Sequence, residues 1–136
     1  MSSDQFQPIS LPLLLQLILK EFENSATIFG IPEKLFFRPK ETDRIAIRRF
    51  DEILENPLGV AAGPHTQLSQ NIVAAWLCGA RYIELKTVQT LDELHVSKPC
   101  IDMYDEGYNC EWSQELKINE SIGQYVDAWI AIHVLK

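Results

Sequence analysis

The chain has 136 residues, of which 46% are hydrophobic, so it is long enough for one ordinary domain with a core and is not expected to be disordered. A formal net charge of −7 and a pI near 4.9 argue against nonspecific binding to nucleic acid or to an anionic membrane. The three cysteines, Cys78, Cys100 and Cys110, form no close-spaced pair, so we expect free thiols in a cytoplasmic protein and no metal site built from them.

Apolar residues near the N-terminus recur at helical spacing and predict an amphipathic helix that packs on the core. They are Leu11, Leu14, Leu15, Ile18, Leu19 and Phe22. Ser10 is the predicted N-cap, and Pro12 falls in the first turn, where proline is tolerated. The run is too short to span a bilayer and lacks the basic start and cleavage site of a signal peptide, so a membrane-surface anchor is the less favoured alternative.

Two segments follow before the first buried strand. Residues 29–39 contain one glycine and two prolines, and they predict an irregular connector with exposed aromatic side chains. From Ile45 to Glu55, alternating apolar and charged residues predict a half-buried β-hairpin that turns at residues 50–52. Asn56 and Pro57 then end the hairpin.

A strand–helix–strand unit occupies residues 58–87. The apolar run Leu58 to Ala62 predicts a buried strand that stops at Gly63, and a second strand from Tyr82 to Leu85 delivers Lys86 and Thr87 at its end. Between them lies a predicted helix with Thr66 as N-cap, Gly79 as the C′ residue and an apolar face formed by Leu68, Ile72, Ala75 and Trp76. Since ligands bind outside the carboxyl ends of parallel strands, we expect the two strand ends to lie side by side and to suit a flat anionic or electron-rich ligand.

The last part of the chain predicts a long loop and a helix. The loop runs from Lys98 to Cys110 and is rich in aromatic and acidic residues. The helix has Asn119 as its predicted N-cap and an apolar stripe made of Ile118, Ile122, Tyr125, Val126, Trp129, Ile130 and His133. Because two parallel strands cannot bury both faces and both edges, we expect this chain to be part of a larger α/β structure or to be completed by something else.

Lys86 is the clearest candidate for chemistry. A lysine that closes an apolar strand lies near a hydrophobic interior, where an ammonium group is costly unless it is paired. Its role could be to neutralise charge on a bound ring, or the side chain could lie along the sheet surface or pair with Glu84 on the same face.

Glycines and histidines of the chain carry weaker signals. Gly59 and Gly63 do not have the spacing of a dinucleotide fingerprint, and they suit either tight packing with a turn or a planar ligand against bare backbone. We expect no catalytic role for His65 and a buried, hydrogen-bonded position for His133 in the core.

A resemblance to known proteins extends over nearly the whole chain and is carried by five segments: FGIPE, NPLGVAAGPHTQLSQN, YIELKTVQTLDEL, KPCIDMYDEGYN and EWSQEL. They resemble the flavin-binding barrels of the dihydroorotate and dihydropyrimidine dehydrogenase superfamily, and most of all the N-terminal domain of the selenate reductase subunit family of multidomain iron–sulfur flavoproteins. The resemblance implies an α/β fold, the N-terminal part of a TIM (β/α)8 barrel that is incomplete in this chain. Residues 1–42 would form a helical extension and connector, and residues 43–136 a bottom-plugging hairpin with the first βα units.

The resemblance also implies site residues and cofactors. Ala61, Ala62 and Gly63 match the small residues beside the FMN ring and ribityl chain. Lys86 and Thr87 match residues that reach the flavin, and Lys86 would be the catalytic residue that stabilises the anionic reduced ring. Iron–sulfur clusters and FAD would belong to other domains of the parent protein, which exchanges electrons with NAD(P)H.

Asn109 matches an asparagine near substrate and flavin, but its surroundings depart from the family. Cys100 stands where an arginine is usual, and residues 110–112 replace a glycine-rich loop, which argues against a dihydroorotate-type substrate. A complete barrel needs about 250 residues, so FMN binding by this chain alone should be weak or undetectable. Partners would be the remainder of the barrel or an oligomer partner covering the sheet edges, together with redox domains or subunits.

A rival hypothesis is a scaffold without catalytic activity. In this reading the aromatic loop from Tyr104 to Trp112 docks a partner subunit and Lys86 is dispensable.

Overall fold

The computed structural model describes residues 6–40, 42–88, 90, 101–102, 108–109 and 115–136, with the backbone alone for 101–102 and 108–109. Its elements are α1 (Leu11–Ser25), β1 (Thr27–Ile28), β2 (Ile31–Pro32), β3 (Ile47–Arg49), β4 (Glu52–Leu54), β5 (Gly59–Ala61), α2 (Ser69–Leu77), β6 (Tyr82–Glu84), β7 (Ile101–Asp102), β8 (Tyr108–Asn109) and α3 (Ile118–Leu135). The strands pair consecutively: β5 with β6 is parallel, whereas β1–β2, β3–β4 and β7–β8 are antiparallel. Within these residues each sheet has two strands, and none closes into a barrel.

Helix α1 begins as the sequence predicts and contributes to the core. Ser10 occupies the N-cap position, although its side chain makes no capping hydrogen bond. Leu14 and Ile18 are buried together with Val73 of α2 and Ala128 of α3. The predicted face is too wide, because Leu19, at its margin, is half exposed.

Residues 27–32 form a β-hairpin where the sequence predicts an irregular connector. Phe29 and Gly30 have φ values of 52° and 72°, the left-handed conformation of a tight two-residue hairpin turn. The Glu21 carboxylate accepts hydrogen bonds from the backbone N–H of Gly30 at 2.7 Å, the Thr27 hydroxyl at 2.7 Å and the N–H of Phe29 at 2.9 Å. These bonds, led by that of Gly30, hold the pKa of Glu21 below its usual value. The Glu21 carboxylate thus stabilises a turn that the residues of the turn alone do not predict.

The predicted hairpin between Ile45 and Glu55 is confirmed as the β3–β4 pair. Its turn residues Phe50 and Asp51 both have positive φ, 49° and 63°. The expectation that it is half-buried is wrong: Phe50 is 85% exposed and Ile53 67%. Leu54 and Glu55, at the end of the hairpin, are half-buried, whereas its other residues from Ile45 onward are exposed.

Helix α2 follows β5 as predicted and ends at the predicted glycine. Gly79 has a φ of 109°, which suits a C′ glycine after the last helical turn. Thr66 is not the N-cap, because a 3-10 turn at His65–Gln67 comes first and α2 begins at Ser69. The Thr66 hydroxyl instead donates to the carbonyl oxygen of Gly63 at 2.9 Å.

Helix α3 covers the core with a different face from the one predicted. Its buried residues are Ser121, Gln124, Ala128 and Ala131. The predicted stripe is wrong as a core face for Ile122, which is 50% exposed, and for Trp129, which is 61% exposed, whereas Tyr125 from the same stripe does pack against the core. Small side chains let α3 lie close to α2, and the larger apolar side chains then fall to one side of the contact.

Two further predictions for α3 are wrong. Its N-cap is Lys117, not Asn119, and the Lys117 N–H donates to a carboxylate oxygen of Glu120 at 3.0 Å. His133 is exposed, with its ring Nδ1 2.8 Å from the carbonyl oxygen of Trp129. None of the helices described is both long enough and apolar enough to cross a membrane.

Candidate functional site

The carboxyl ends of β5 and β6 lie side by side, as the sequence predicts. In the parallel register, Gly59 is beside Tyr82 and Ala61 is beside Glu84. The N–H of Ala62 donates to the carbonyl oxygen of Glu84 at 3.3 Å, which continues the pairing past the last strand residue. The segments that begin at Gly63 and Leu85 therefore leave the sheet from the same edge.

The two faces of this ladder are unequally covered. Ile83 packs against the hydrophobic core, whereas its neighbours Tyr82 and Glu84 are exposed. Side chains alternate along a strand, so the uncovered face also carries Gly59 and Ala61. The expectation of a fully buried strand from Leu58 to Ala62 is therefore wrong for one face.

The predicted flavin-contacting residues lie at or just after the carboxyl ends of the two strands, next to this uncovered face. Ala61 and Thr87 are exposed, Gly63 and Lys86 are half-buried, and Ala62 is fully buried. Continued alternation assigns Lys86 to the same side as Tyr82 and Glu84. The strand ends are thus brought together, while the contacts of these residues with a ligand stay a prediction.

Asn109 belongs to a different two-stranded sheet from β5 and β6. It lies in β8, where its backbone pairs with Ile101 of β7. The Asn109 side chain, Cys100 and residues 110–112 lie outside what the structure describes, as does most of the aromatic loop. The predicted substrate-side role of Asn109 is therefore untested.

Gly59 is required by the Tyr82 ring, which lies across it. A Cβ atom at position 59 would be 2.1 Å from Cε2 and 2.4 Å from Cζ of that ring. Of the two roles that the sequence leaves open for this glycine, tight packing is thus confirmed. Tyr82 is the first residue of β6, so its ring lies at the amino end of the uncovered face, opposite the carboxyl ends of the strands.

Hydrogen bonds fix the segment that follows β5. The Thr66 N–H donates to the carbonyl oxygen of Gly63 at 3.1 Å, and Asn71 Nδ2 donates to the carbonyl oxygen of His65 at 2.7 Å. The segment also binds α3, since the Tyr125 hydroxyl donates to Gln67 Oε1 at 2.7 Å. Burial raises the pKa of Tyr125, so the hydroxyl keeps its proton as a donor.

Gln67 is a functional candidate that the sequence analysis misses. It is completely buried, and its Nε2 has no hydrogen-bond partner among the described residues. The same holds for the Oγ of Ser69 and the Oε1 of Gln70, although the Ser69 N–H donates to Gln124 Oε1 at 3.0 Å. Buried polar atoms without partners are rare, and water or a ligand commonly satisfies them. A glutamine between polar neighbours carries no sequence signal that would reveal this burial.

The amino ends of the same two strands are tied by Arg81, whose side chain is only 7% exposed. Its guanidinium pairs with Glu55, donates to the carbonyl oxygens of Trp76 at 3.0 Å and Ala80 at 2.9 Å, and lies 4.8 Å from the ring centre of Phe37. The sequence around Arg81 predicts no role for it. A lone arginine at a strand start gives no signal of Glu55 and Phe37, the two partners that are distant in the sequence.

Asn56 provides a second tie at the amino end. It is buried, its Nδ2 donates to the carbonyl oxygen of Gly79 at 2.9 Å, and its Oδ1 accepts from the N–H of Leu58 at 2.7 Å. Asn56 thus joins the start of β5 to the end of α2, beyond the chain-breaking role that the sequence predicts.

Comparison with known proteins identifies the kind of protein that carries this arrangement. The family described as "Oxidoreductase YgfK, N-terminal TIM-barrel domain" matches residues 29–136. The proteins called "Putative oxidoreductase YgfK" of Escherichia coli K12 and O157:H7 are each 47% identical to the chain over 133 residues. That alignment covers 98% of this chain but 13% of each relative, so the chain spans about an eighth of their length. No solved structure matches significantly.

The match supports membership of an oxidoreductase TIM-barrel family. It does not single out the selenate reductase subunit family that the sequence resemblance names. It also agrees with a mixed α/β chain that contains one parallel βαβ unit and no closed barrel among its described strands. The chain belongs to the family of YgfK-type oxidoreductase N-terminal TIM-barrel domains.

Proposed function

We propose that this chain is the N-terminal part of a cytosolic flavin-dependent oxidoreductase barrel. The whole protein would pass electrons between FMN, iron–sulfur centres, FAD and NAD(P)H, as in the selenate reductase subunit family. The observation that carries the proposal is the pairing of two parallel strand ends, one with small residues and the other followed by Lys86. Family membership supplies the oxidoreductase class and the barrel architecture.

The residues at the strand ends fit a planar cofactor. Ala61 is exposed and has the smallest side chain other than glycine, and Gly63 follows at the turn. A flat ring can therefore approach the main chain here without displacing a large side chain. Buried Gln67 Nε2, which lacks a partner in the described part of the chain, leaves hydrogen-bonding capacity in the next turn.

Each residue has a distinct task in this proposal. Ala61, Ala62 and Gly63 present backbone to the ring, and Thr87 offers a hydroxyl. Lys86 places a positive charge where the ring becomes electron-rich, an interaction that strengthens when the closed barrel excludes water.

Asn109 is assigned, on the resemblance alone, to the substrate side of the ring. When bound, the flavin supplies the electron-transfer chemistry, and the protein supplies binding and electrostatics.

The experiment uses a chimera in which this chain replaces the matching 133 residues of the E. coli K12 relative. The purified chimera should show the visible absorbance of flavin, and heat-released cofactor should be FMN as well as FAD. Lys86→Met should weaken FMN retention and slow reduction of the bound flavin by NAD(P)H about 100-fold or more, as expected for loss of a charge that acts on the reacting ring. Lys20→Met is the matched control, because Lys20 is exposed on α1 and far along the chain from the strand ends.

Two outcomes would overturn the proposal. One is a folded chimera without FMN after gentle extraction, which would favour the scaffold role. The other is an identical reduction rate for Lys86→Met and Lys20→Met. Selenate, tested as electron acceptor in the same assay, reports separately on the substrate.

A further inference from the structure

The segment that leaves β5 at the candidate site, from Gly63 to Gln67, has little local support. It ends in a 3-10 turn of only three residues. The Thr66 N–H donates to the carbonyl oxygen of Gly63 at 3.1 Å, and the next such bond, from the Leu68 N–H to the carbonyl oxygen of His65, is 3.2 Å long. Both distances are at the long end of the usual range, and short 3-10 turns have poorer hydrogen-bond geometry than α-helices. We therefore expect the position of this segment to depend on contacts with other elements.

A hydroxyl group of α3 ties this segment to the core. The Tyr125 hydroxyl donates to Oε1 of Gln67 at 2.7 Å, across 58 positions of the chain. Gln67 is completely buried, and the Tyr125 ring packs against the hydrophobic core. Because the acceptor is shielded from water, the bond is electrostatically stronger than it would be at the surface. It is also shorter than the backbone bonds of the segment itself.

The neighbouring residue of α3 holds the other side of the same junction. Gln124 Oε1 accepts a hydrogen bond from the N–H of Ser69, the first residue of α2, at 3.0 Å. Both residues are buried. Consecutive residues of α3 thus bind the chain on the two sides of Leu68, so α3 determines where the segment joins α2.

We infer that Tyr125 is a positioning residue, whose hydroxyl fixes Gln67 and thereby the segment from Gly63 to Gln67 beside the candidate cofactor site. Tyr125 acts through Gln67, so it is not a catalytic residue. The inference rests on the proposed function for the identity of the cofactor, FMN, whereas the ordering of the segment is measurable without any cofactor.

The test compares the chimera with the E. coli relative, taken as the parent, with two variants of it. Tyr125→Phe removes the hydroxyl and keeps the ring that packs on the core. Ala128→Gly is the matched control, because it weakens the same helix at a buried position and leaves the Tyr125 hydroxyl in place.

Two rates are measured for each protein. The first is hydrogen exchange of the backbone N–H groups of Thr66 and Leu68, followed by mass spectrometry after the flavin has been removed. The second is the dissociation of FMN from the loaded protein, followed by the fluorescence of the released cofactor.

Tyr125→Phe should accelerate exchange at Thr66 and Leu68 about threefold to tenfold, the effect expected when one hydrogen bond no longer opposes local opening. FMN should dissociate faster by a similar factor, because the segment opens more often. Ala128→Gly lowers the overall stability, but it should leave both rates near those of the parent, since these N–H groups exchange through local opening.

Three outcomes would overturn the inference. One is unchanged exchange at Thr66 and Leu68 in Tyr125→Phe. Another is equal acceleration in Tyr125→Phe and Ala128→Gly, because the hydroxyl would then act only through the stability of α3. The third is faster exchange without faster FMN dissociation, which would mean that the hydroxyl orders the segment but does not position the cofactor.

A parent chimera that holds no FMN would contradict the proposed function itself. The exchange rates would then decide by themselves whether the Tyr125 hydroxyl orders the segment.

Discussion

Gly59→Ala is a direct test of the packing at the base of the candidate site. The added methyl group would come within 2.1 to 2.4 Å of three atoms of the Tyr82 ring, far inside van der Waals contact. The backbone of β5 cannot yield easily, because its pairing with β6 fixes it. The Tyr82 ring must therefore move.

The expected cost follows from how far the ring can move. Overpacking a well-packed position costs about 1–3 kcal/mol. Tyr82 is 50% exposed, so its ring can turn outward at the cost of an unfavourable rotamer, about 0.5–1.5 kcal/mol. Replacing glycine by alanine also stabilises the folded state by about 0.4–1 kcal/mol, because it lowers the conformational entropy of the unfolded chain. We expect the free energy of unfolding to fall by about 1 kcal/mol in total.

The assay is urea unfolding followed by circular dichroism, in a double-mutant cycle with Tyr82→Ala. Without the ring, Gly59→Ala should be neutral or slightly stabilising, which gives a coupling of about 1–2 kcal/mol. Gly123→Ala is the control. Gly123 lies in α3, no atom of another described element is within 4 Å of the added methyl group, and the substitution should stabilise by about 1 kcal/mol. An equal loss from Gly59→Ala with and without the Tyr82 ring would refute the reasoning.

Two further predictions concern charged side chains that fix the fold. Arg81→Met should lower the free energy of unfolding by about 2–3 kcal/mol, because it removes the ion pair with Glu55 and the hydrogen bonds of a nearly buried guanidinium to the carbonyl oxygens of Trp76 and Ala80. Arg38→Met, in a surface ion pair with a 70% exposed side chain, should cost under about 1 kcal/mol. If urea unfolding shows the same loss of stability for Arg81→Met and Arg38→Met, the stabilising role assigned to the contacts of Arg81 is wrong. Glu21→Gln should reduce stability above pH 4.5 and remove part of its decline in acid. The bond from the Gly30 N–H lowers the folded-state pKa of Glu21, so its contribution is full above the unfolded value of 4.5 and is lost as pH falls through the folded value. Thermal unfolding temperature measured against pH would show this, and parallel curves for the two proteins would refute it.

The sequence predicts local patterns of this fold well where one physical signal dominates. The apolar runs bounded by turn residues identify β5 and β6 and their parallel pairing, and Gly79 identifies the end of α2. Alternation identifies the hairpin of β3 and β4. In each case the signal comes from neighbouring residues, so no distant contact is needed to interpret it.

Features that depend on distant partners are predicted poorly. The β1–β2 turn depends on Glu21, several residues earlier, and the burial of Gln67 depends on a hydroxyl of α3. Arg81 has an ordinary sequence context, although it is among the most heavily bonded side chains described. The α3 stripe shows a related limit: periodicity predicts which residues share a face, but not which part of a broad face the rest of the chain covers.

The two ends of the β5–β6 pair differ in a way that bears on function. At the amino end, the side chains of Arg81 and Asn56 make five hydrogen bonds to other parts of the protein. At the carboxyl end, the side chains are small, and in the next turn the buried Nε2 of Gln67 has no hydrogen-bond partner among the residues that the structure describes. Parallel barrels divide their work in this manner, with stability at the amino face and chemistry at the carboxyl face. Substitutions at the amino end should therefore lower stability before activity, whereas those at Lys86 should lower activity in a protein that remains folded.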